Sequence, residues 1–229
     1  MPDTTAHPFR RIRSFVRREG RLTPGQARAL ERWLPEYGLP EDDRPLDFPS
    51  VFGRNAPTLL EIGFGNGDAL LEVARRHPEW NFIGIEVHRP GVGHLLKHAG
   101  EQDVRNLRVS SRDAVEVLEQ QIPDESLERA MLYFPDPWPK KRHHKRRIVQ
   151  PAFVRLIARK LAPGGEFHLA TDWENYAEHM RDVLESTSEF ESTAPGAFAS
   201  RPADRPLTKF EQRGQRLGHG VWDLVYRRR

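Results

Sequence analysis

The chain of 229 residues contains no cysteine and only three methionines. Without thiols it has no disulfides, no thiolate zinc site and no cysteine nucleophile. Lysine is scarce as well, with 6 against 30 arginines. Long apolar runs are missing: the longest patch, Ala130-Met131-Leu132-Tyr133-Phe134, falls far short of the roughly 20 residues a membrane span needs. No segment has the apolar middle of a signal peptide. The hydrophobic fraction of 37% is nevertheless enough to build a core. The length suits one domain with extensions rather than two independent units. These features predict a soluble, intracellular globular protein with no metal site.

The formal charge of +3 hides an uneven distribution. Six arginines (10, 11, 13, 17, 18 and 21) fall in the first 21 residues. Residues 140–147 read Lys-Lys-Arg-His-His-Lys-Arg-Arg, and the chain ends on three arginines. Such clusters are the footprint of a polyanionic partner, although charge runs also arise simply as solvated surface. Residues 1–25 read as a basic arm or an Arg-rich targeting peptide.

Helical spacing appears over 24–39, through Ala27, Leu30 and Leu34. Four prolines and Gly53 mark 40–57 as a linker. The expected organisation is a basic extension over 1–57 and a main domain over 58–229. Within the latter, strand-like runs (58–62, 81–87, 107–110, 130–134, 167–170 and 222–226) alternate with helix-length segments (68–76, 92–98, 115–120, 152–161 and 175–184). That alternation predicts an α/β fold, a Rossmann-like doubly wound, mostly parallel sheet.

The first predicted strand runs into Glu61-Ile62-Gly63-Phe64-Gly65-Asn66-Gly67 and then a helix. Glycines at such a turn let the backbone bend tightly and approach a ligand closely. The second strand ends near Glu86, placed to accept from ribose hydroxyls. The spacing is G-x-G-x-G rather than G-x-G-x-x-G, and Glu61 stands beside the loop. An acid there repels a pyrophosphate and suits a cationic amino acid moiety, as in S-adenosylmethionine. Asp113, after the third strand, is placed for the exocyclic amine of adenine or, equally, as a helix N-cap.

The fourth strand leads into Tyr133-Phe134-Pro135-Asp136-Pro137-Trp138-Pro139-Lys140-Lys141. A proline-stiffened loop with an acid and an aromatic, beyond a strand's carboxyl end, can hold a planar base. It can also be an ordinary turn. The basic octet follows at once, and the fifth strand ends at Thr171-Asp172-Trp173.

Taken together, these segments resemble the bacterial single-chain tRNA (guanine-N(7)-)-methyltransferases, within the class I S-adenosylmethionine-dependent methyltransferases. The resemblance spans most of the chain. It rests on 13–21, the Glu61–Gly67 turn, the run from Phe134 to His143, Ala170-Thr171-Asp172, and Thr208-Lys209-Phe210-Glu211-Gln212-Arg213-Gly214 with Gly218-His219. It implies a seven-stranded sheet with the last strand antiparallel. It implies a cofactor site lined by Glu61, Gly63, Gly65, Gly67, Glu86, Asp113 and Asp136, with Asp136 catalytic. Lys140, Asp172, Thr208, Lys209, Phe210 and Glu211 would contact substrate; Arg142, His143, His144, Lys145, Arg146 and Arg147 would contact RNA. The implied cofactor is S-adenosylmethionine and the implied target is guanosine 46 of the tRNA variable loop. The implied setting is cytoplasmic, as a monomer or homodimer without membrane or obligatory protein partner. Readings from other classes are a nicotinamide oxidoreductase, a methyltransferase of nucleic-acid amino groups, and a non-catalytic RNA-binding protein.

Overall fold

The computed structural model describes residues 20–207, 211 and 220–229. Seven strands form one sheet: β1 (Thr58–Ile62), β2 (Asn81–Ile85), β3 (Leu107–Ser110), β4 (Leu127–Tyr133), β5 (Leu161–Thr171), β6 (Phe190–Ser192) and β7 (Trp222–Arg228). Their order is β3-β2-β1-β4-β5-β7-β6. The first five run parallel, and β7 is antiparallel to both β5 and β6. Every residue of β1 and β2 is buried, the mark of central strands covered on both faces.

Helices α1 (Pro24–Tyr37), α3 (Asp68–Arg76) and α4 (Arg89–Glu101) cover one face. The other face carries α2 (Phe48–Phe52), α5 (Ala114–Gln120), α6 (Pro151–Lys160) and α7 (Glu174–Glu185). Each buried leucine or phenylalanine in these layers contributes about 1.5–3 kcal/mol. Among the described residues, no helix is long and apolar enough to cross a membrane.

The sequence spacing of α1 hides how closely it is fixed. Thr23 and Gln26 form a capping box, with Gln26 N donating to Thr23 Oγ1 (3.3 Å) and Thr23 N to Gln26 Oε1 (2.9 Å). Tyr37 is buried and donates to the Ala99 carbonyl at 3.3 Å. Beyond the helix, Gly38 bridges Val109 in parallel, so the chain extends the sheet past β3. The segment expected as a linker contains α2 and is tied down by Gln121, whose Nε2 donates to the Pro40 and Asp42 carbonyls at 2.6 Å.

Two further differences are local. The run Leu161-Ala162-Pro163-Gly164-Gly165-Glu166, which precedes the expected strand 167–170, already belongs to β5. Leu161 pairs with Leu127, and the register then shifts before Arg129 meets Glu166. Strand β6, only three residues long at the sheet edge, has too few positions to show alternation.

Candidate active site

Glu86, Asp113, Asp136 and Asp172 lie just past the carboxyl ends of β2, β3, β4 and β5, and Glu61 is the last residue but one of β1, the region where ligands bind in open α/β sheets. Gly63, Gly65 and Gly67 have φ of 76°, 60° and 77°, the left-handed region that side chains disfavour. The loop is held from below: Glu86 Oε2 accepts from Gly65 N at 2.9 Å and its Oε1 from His88 N at 2.8 Å. Helix α4 begins hard against this loop, so that a Cβ on Gly91 would lie 2.0 Å from the Gly65 carbonyl oxygen.

The space over the loop is open, since a Cβ built on Gly63 or Gly65 meets nothing within 4 Å. Glu61 is 5% exposed at the end of β1, and no hydrogen bond or ion pair among the described residues ends on it. Burial, with Glu86 adding to it, pushes its carboxyl up to about 8. A buried acid facing a second acid, beside exposed backbone, fits a cation-bearing nucleoside and disfavours a phosphate. These residues fit S-adenosylmethionine: Glu61 suits its ammonium, and Glu86 has lone pairs left for ribose. Asp113 is the N-cap of α5, its Oδ1 accepting from Val115 N at 2.9 Å; the cap leaves Oδ2 for a ligand.

The loop after β4 is strained. Phe134 and Trp138, neither of them glycine, have φ of 50° and 46°, which costs about 1–3 kcal/mol each. Between them stands Asp136, exposed. Phe134 N donates to the Ala170 carbonyl at 2.8 Å, so this loop departs alongside the end of β5. Asp136 and the half-buried Asp172 therefore project from neighbouring strand ends. Beside Asp172, Trp173 is 41% exposed, one of two large apolar side chains so exposed among the described residues.

The basic tract is not uniform. Lys140, Arg142 and Lys145 are exposed around a 3-10 turn over Lys141–Arg146. Arg146 lies over the Trp138 ring at 5.0 Å, and His143 meets that ring edge-on at 5.9 Å. Slight burial and the cations around it keep His143 below its usual value. His144 turns its Nε2 inward, buried and without a partner among the described residues.

Arg147 corrects the sequence reading. Its side chain is 3% exposed, its Nε donating to the Pro137 carbonyl and its Nη2 to Asn175 Oδ1, both at 2.9 Å, with the guanidinium 4.7 Å from the Tyr176 ring. It braces the Asp136 loop and is not available to RNA. Of the Thr208–Glu211 segment, Thr208, Lys209 and Phe210 lie outside the described residues. Glu211 is buried, with both carboxylate oxygens on Arg205.

Sequence reasoning also missed Asp204 and Arg205, in a loop without a motif. They share a small cavity of about 20 Å³ with Glu61, Arg129, Met131 and Tyr133, room for about one water. No group of three or more His, Asp or Glu that could hold a metal ion occurs among the described residues.

Sheet order, glycine loop and acids at successive strand ends together define a Rossmann-like methyltransferase. The comparisons agree. A family described as "Putative methyltransferase" matches residues 55–224. The 16S rRNA methyltransferase KamB shares the fold, with a TM-score of 0.59 at 16% identity, covering 79% of this chain and 92% of its own. A tRNA (guanine-N(7)-)-methyltransferase of Aeromonas hydrophila is 62% identical over 96% of this chain and 93% of its own. One of Cronobacter sakazakii is 58% identical over 99% and 95%. The chain belongs to the tRNA (guanine-N(7)-)-methyltransferase family.

Proposed function

We propose that the chain methylates guanosine 46 in the variable loop of tRNA, in the cytoplasm, with Asp136 and Asp172 holding the base. The reaction itself, transfer of a methyl group from S-adenosylmethionine to ring nitrogen 7 of a guanine in tRNA, is that of the family to which the chain belongs. When bound, the cofactor supplies the electrophilic methyl group.

Nitrogen 7 of guanine carries a free lone pair at neutral pH, so its attack needs no general base. What the protein must supply is alignment, worth about 7–11 kcal/mol when ideal, and a site that favours the positive charge the base acquires. Carboxylates can do both: they accept from the ring N–H and the amino group on the edge opposite nitrogen 7, and their negative charge favours the cation the base becomes. The observation that carries this reading is the placement of exposed Asp136 at the tip of a strained, proline-flanked loop, next to the strand end bearing Asp172. Asp136 therefore orients and stabilises the base rather than taking a proton from it. Trp173 offers a ring on which a base can stack. The exposed Lys140, Arg142 and Lys145, with the half-buried Arg146, supply phosphate contacts leading away from the pocket.

The test is to incubate the protein with labelled cofactor and bulk tRNA, digest, and identify the modified nucleoside. The expected product is 7-methylguanosine, and it disappears when guanosine 46 of the tRNA is replaced. Asp136→Asn is expected to retain the fold and cofactor binding but to lose turnover by about 10²-fold or more. Full turnover in that variant would remove Asp136 from the reaction.

A further inference from the structure

Residues 194–207 bear no recognisable motif, yet they carry Arg205 into the interior, where its side chain is 1% exposed. Its Nη1 donates to Glu211 Oε2 at 2.6 Å, and its Nη2 to Glu211 Oε1 and to Asp223 Oδ2, both at 3.0 Å. Its Nε lies 2.8 Å from Asp223 Oδ1, close enough to pair as ions but not aligned for a hydrogen bond. Asp223 Oδ1 also lies 2.9 Å from His168 Nε2, and His168 Nδ1 lies 2.9 Å from Tyr133 Oη. Burial outweighs the pull of Asp223 and keeps His168 below its usual value. The ring is thus neutral, with Nε2–H donating to Asp223 and Nδ1 accepting from Tyr133.

This chain of contacts joins three separate parts of the site. Tyr133 ends β4, and Arg205 lies 5.8 Å from its ring and 5.9 Å from that of Phe134, where the Asp136 loop begins. Asp223 belongs to β7 and His168 to β5. Glu211 is the last residue of the run 208–211 for which the family resemblance implies substrate contacts. A buried carboxylate with both oxygens on one guanidinium is anchored in position and direction, because the planar fork fixes two bonds at once.

We propose that Arg205 is a positioning residue for methyl transfer, one that holds the Glu211 carboxylate beside the Phe134 end of the Asp136 loop. This inference rests on the function proposed above.

Two mild variants test it. Arg205→Lys keeps the charge and loses the fork; Glu211→Gln keeps the shape and leaves Arg205 paired with Asp223. Methylation of tRNA is measured for each variant and for the double, with cofactor affinity by calorimetry and melting temperature as controls. Each single variant is expected to lower kcat about tenfold or more while KM for tRNA and cofactor Kd move less than about threefold, and the double is expected to be no worse than the poorer single. Losses that multiply in the double, or full turnover in Glu211→Gln, would overturn the proposal. If Arg205→Lys does not fold, Glu211→Gln alone decides it. A purely structural role would lower melting temperature without separating kcat from KM. Wild-type protein that forms no 7-methylguanosine would instead refute the function reading, since no variant enters that comparison.

Discussion

Arg147 and Pro137 are joined by a 2.9 Å hydrogen bond from the Arg147 Nε to the proline carbonyl, immediately after the catalytic candidate Asp136. The last arginine of a basic octet thus points into the protein. Its neighbours Arg142, Lys145 and Arg146 keep contact with solvent. One run of like residues therefore divides into a surface for phosphates and an internal brace.

That division gives the first prediction. Replacing Arg142, Lys145 and Arg146 by alanine should weaken tRNA binding and flatten its salt dependence, by up to about 0.7 in log K per log salt for each lost single-strand-like contact. Cofactor affinity should be preserved. Arg147→Ala should do the reverse, leaving the salt slope unchanged while lowering both turnover and stability. Loss of the bonds to Pro137 and Asn175 would cost about 1–3 kcal/mol. Binding isotherms at several salt concentrations, with thermal melts, separate the two. A salt slope that falls in Arg147→Ala as it does in the triple variant would return Arg147 to the RNA surface.

How much of this was legible beforehand follows the physics of each part. The glycine turn, the proline-flanked Asp136 and the alternation of strands and helices are local patterns, so they can be read in order along the chain. The burial of Arg147 is not local, because it depends on Tyr176 and Asn175, nearly 30 positions away and brought close by α7. The same is true of Arg205, whose partners Glu211, Asp223 and Tyr133 meet only once β7 has inserted beside β5. For Asp113 the sequence offers both an N-cap and a ligand role, and the bond from Val115 N to its Oδ1 shows the cap. Sequence types name the acids and bases; the sheet decides which of them face water.

The second prediction concerns the contact between Gly91 and the cofactor loop. A methyl group at position 91 would collide with the Gly65 carbonyl, and Gly65 cannot retreat freely because Glu86 holds its N–H. Gly91→Ala should destabilise the fold by about 1–3 kcal/mol, as overpacking does. It should also weaken S-adenosylmethionine binding, since the displaced backbone is the one that faces the ligand. Calorimetry and melting curves check both effects. Unchanged cofactor affinity in a destabilised variant would detach α4 from the binding loop.

The third prediction follows from the environment of Glu61, whose carboxyl is pushed from 4.5 to about 8, first by burial and then by the charge of Glu86. Between those values the folded protein holds a proton that the unfolded chain has released. Glu61 therefore opposes stability least below about pH 4.5, and its contribution worsens by up to about 1.4 kcal/mol per pH unit until it levels off above about pH 8. Glu61→Gln removes this dependence, so its melting temperature should gain on the wild type as pH rises through that window. The cationic end of S-adenosylmethionine reverses the balance: it favours the ionised carboxylate, so binding near neutral pH should release a proton. Calorimetric titrations in buffers of different ionisation enthalpy measure that proton directly, and Glu61→Gln should abolish it. A binding enthalpy that does not vary with buffer in the wild type would mean that Glu61 does not meet the cofactor's ammonium.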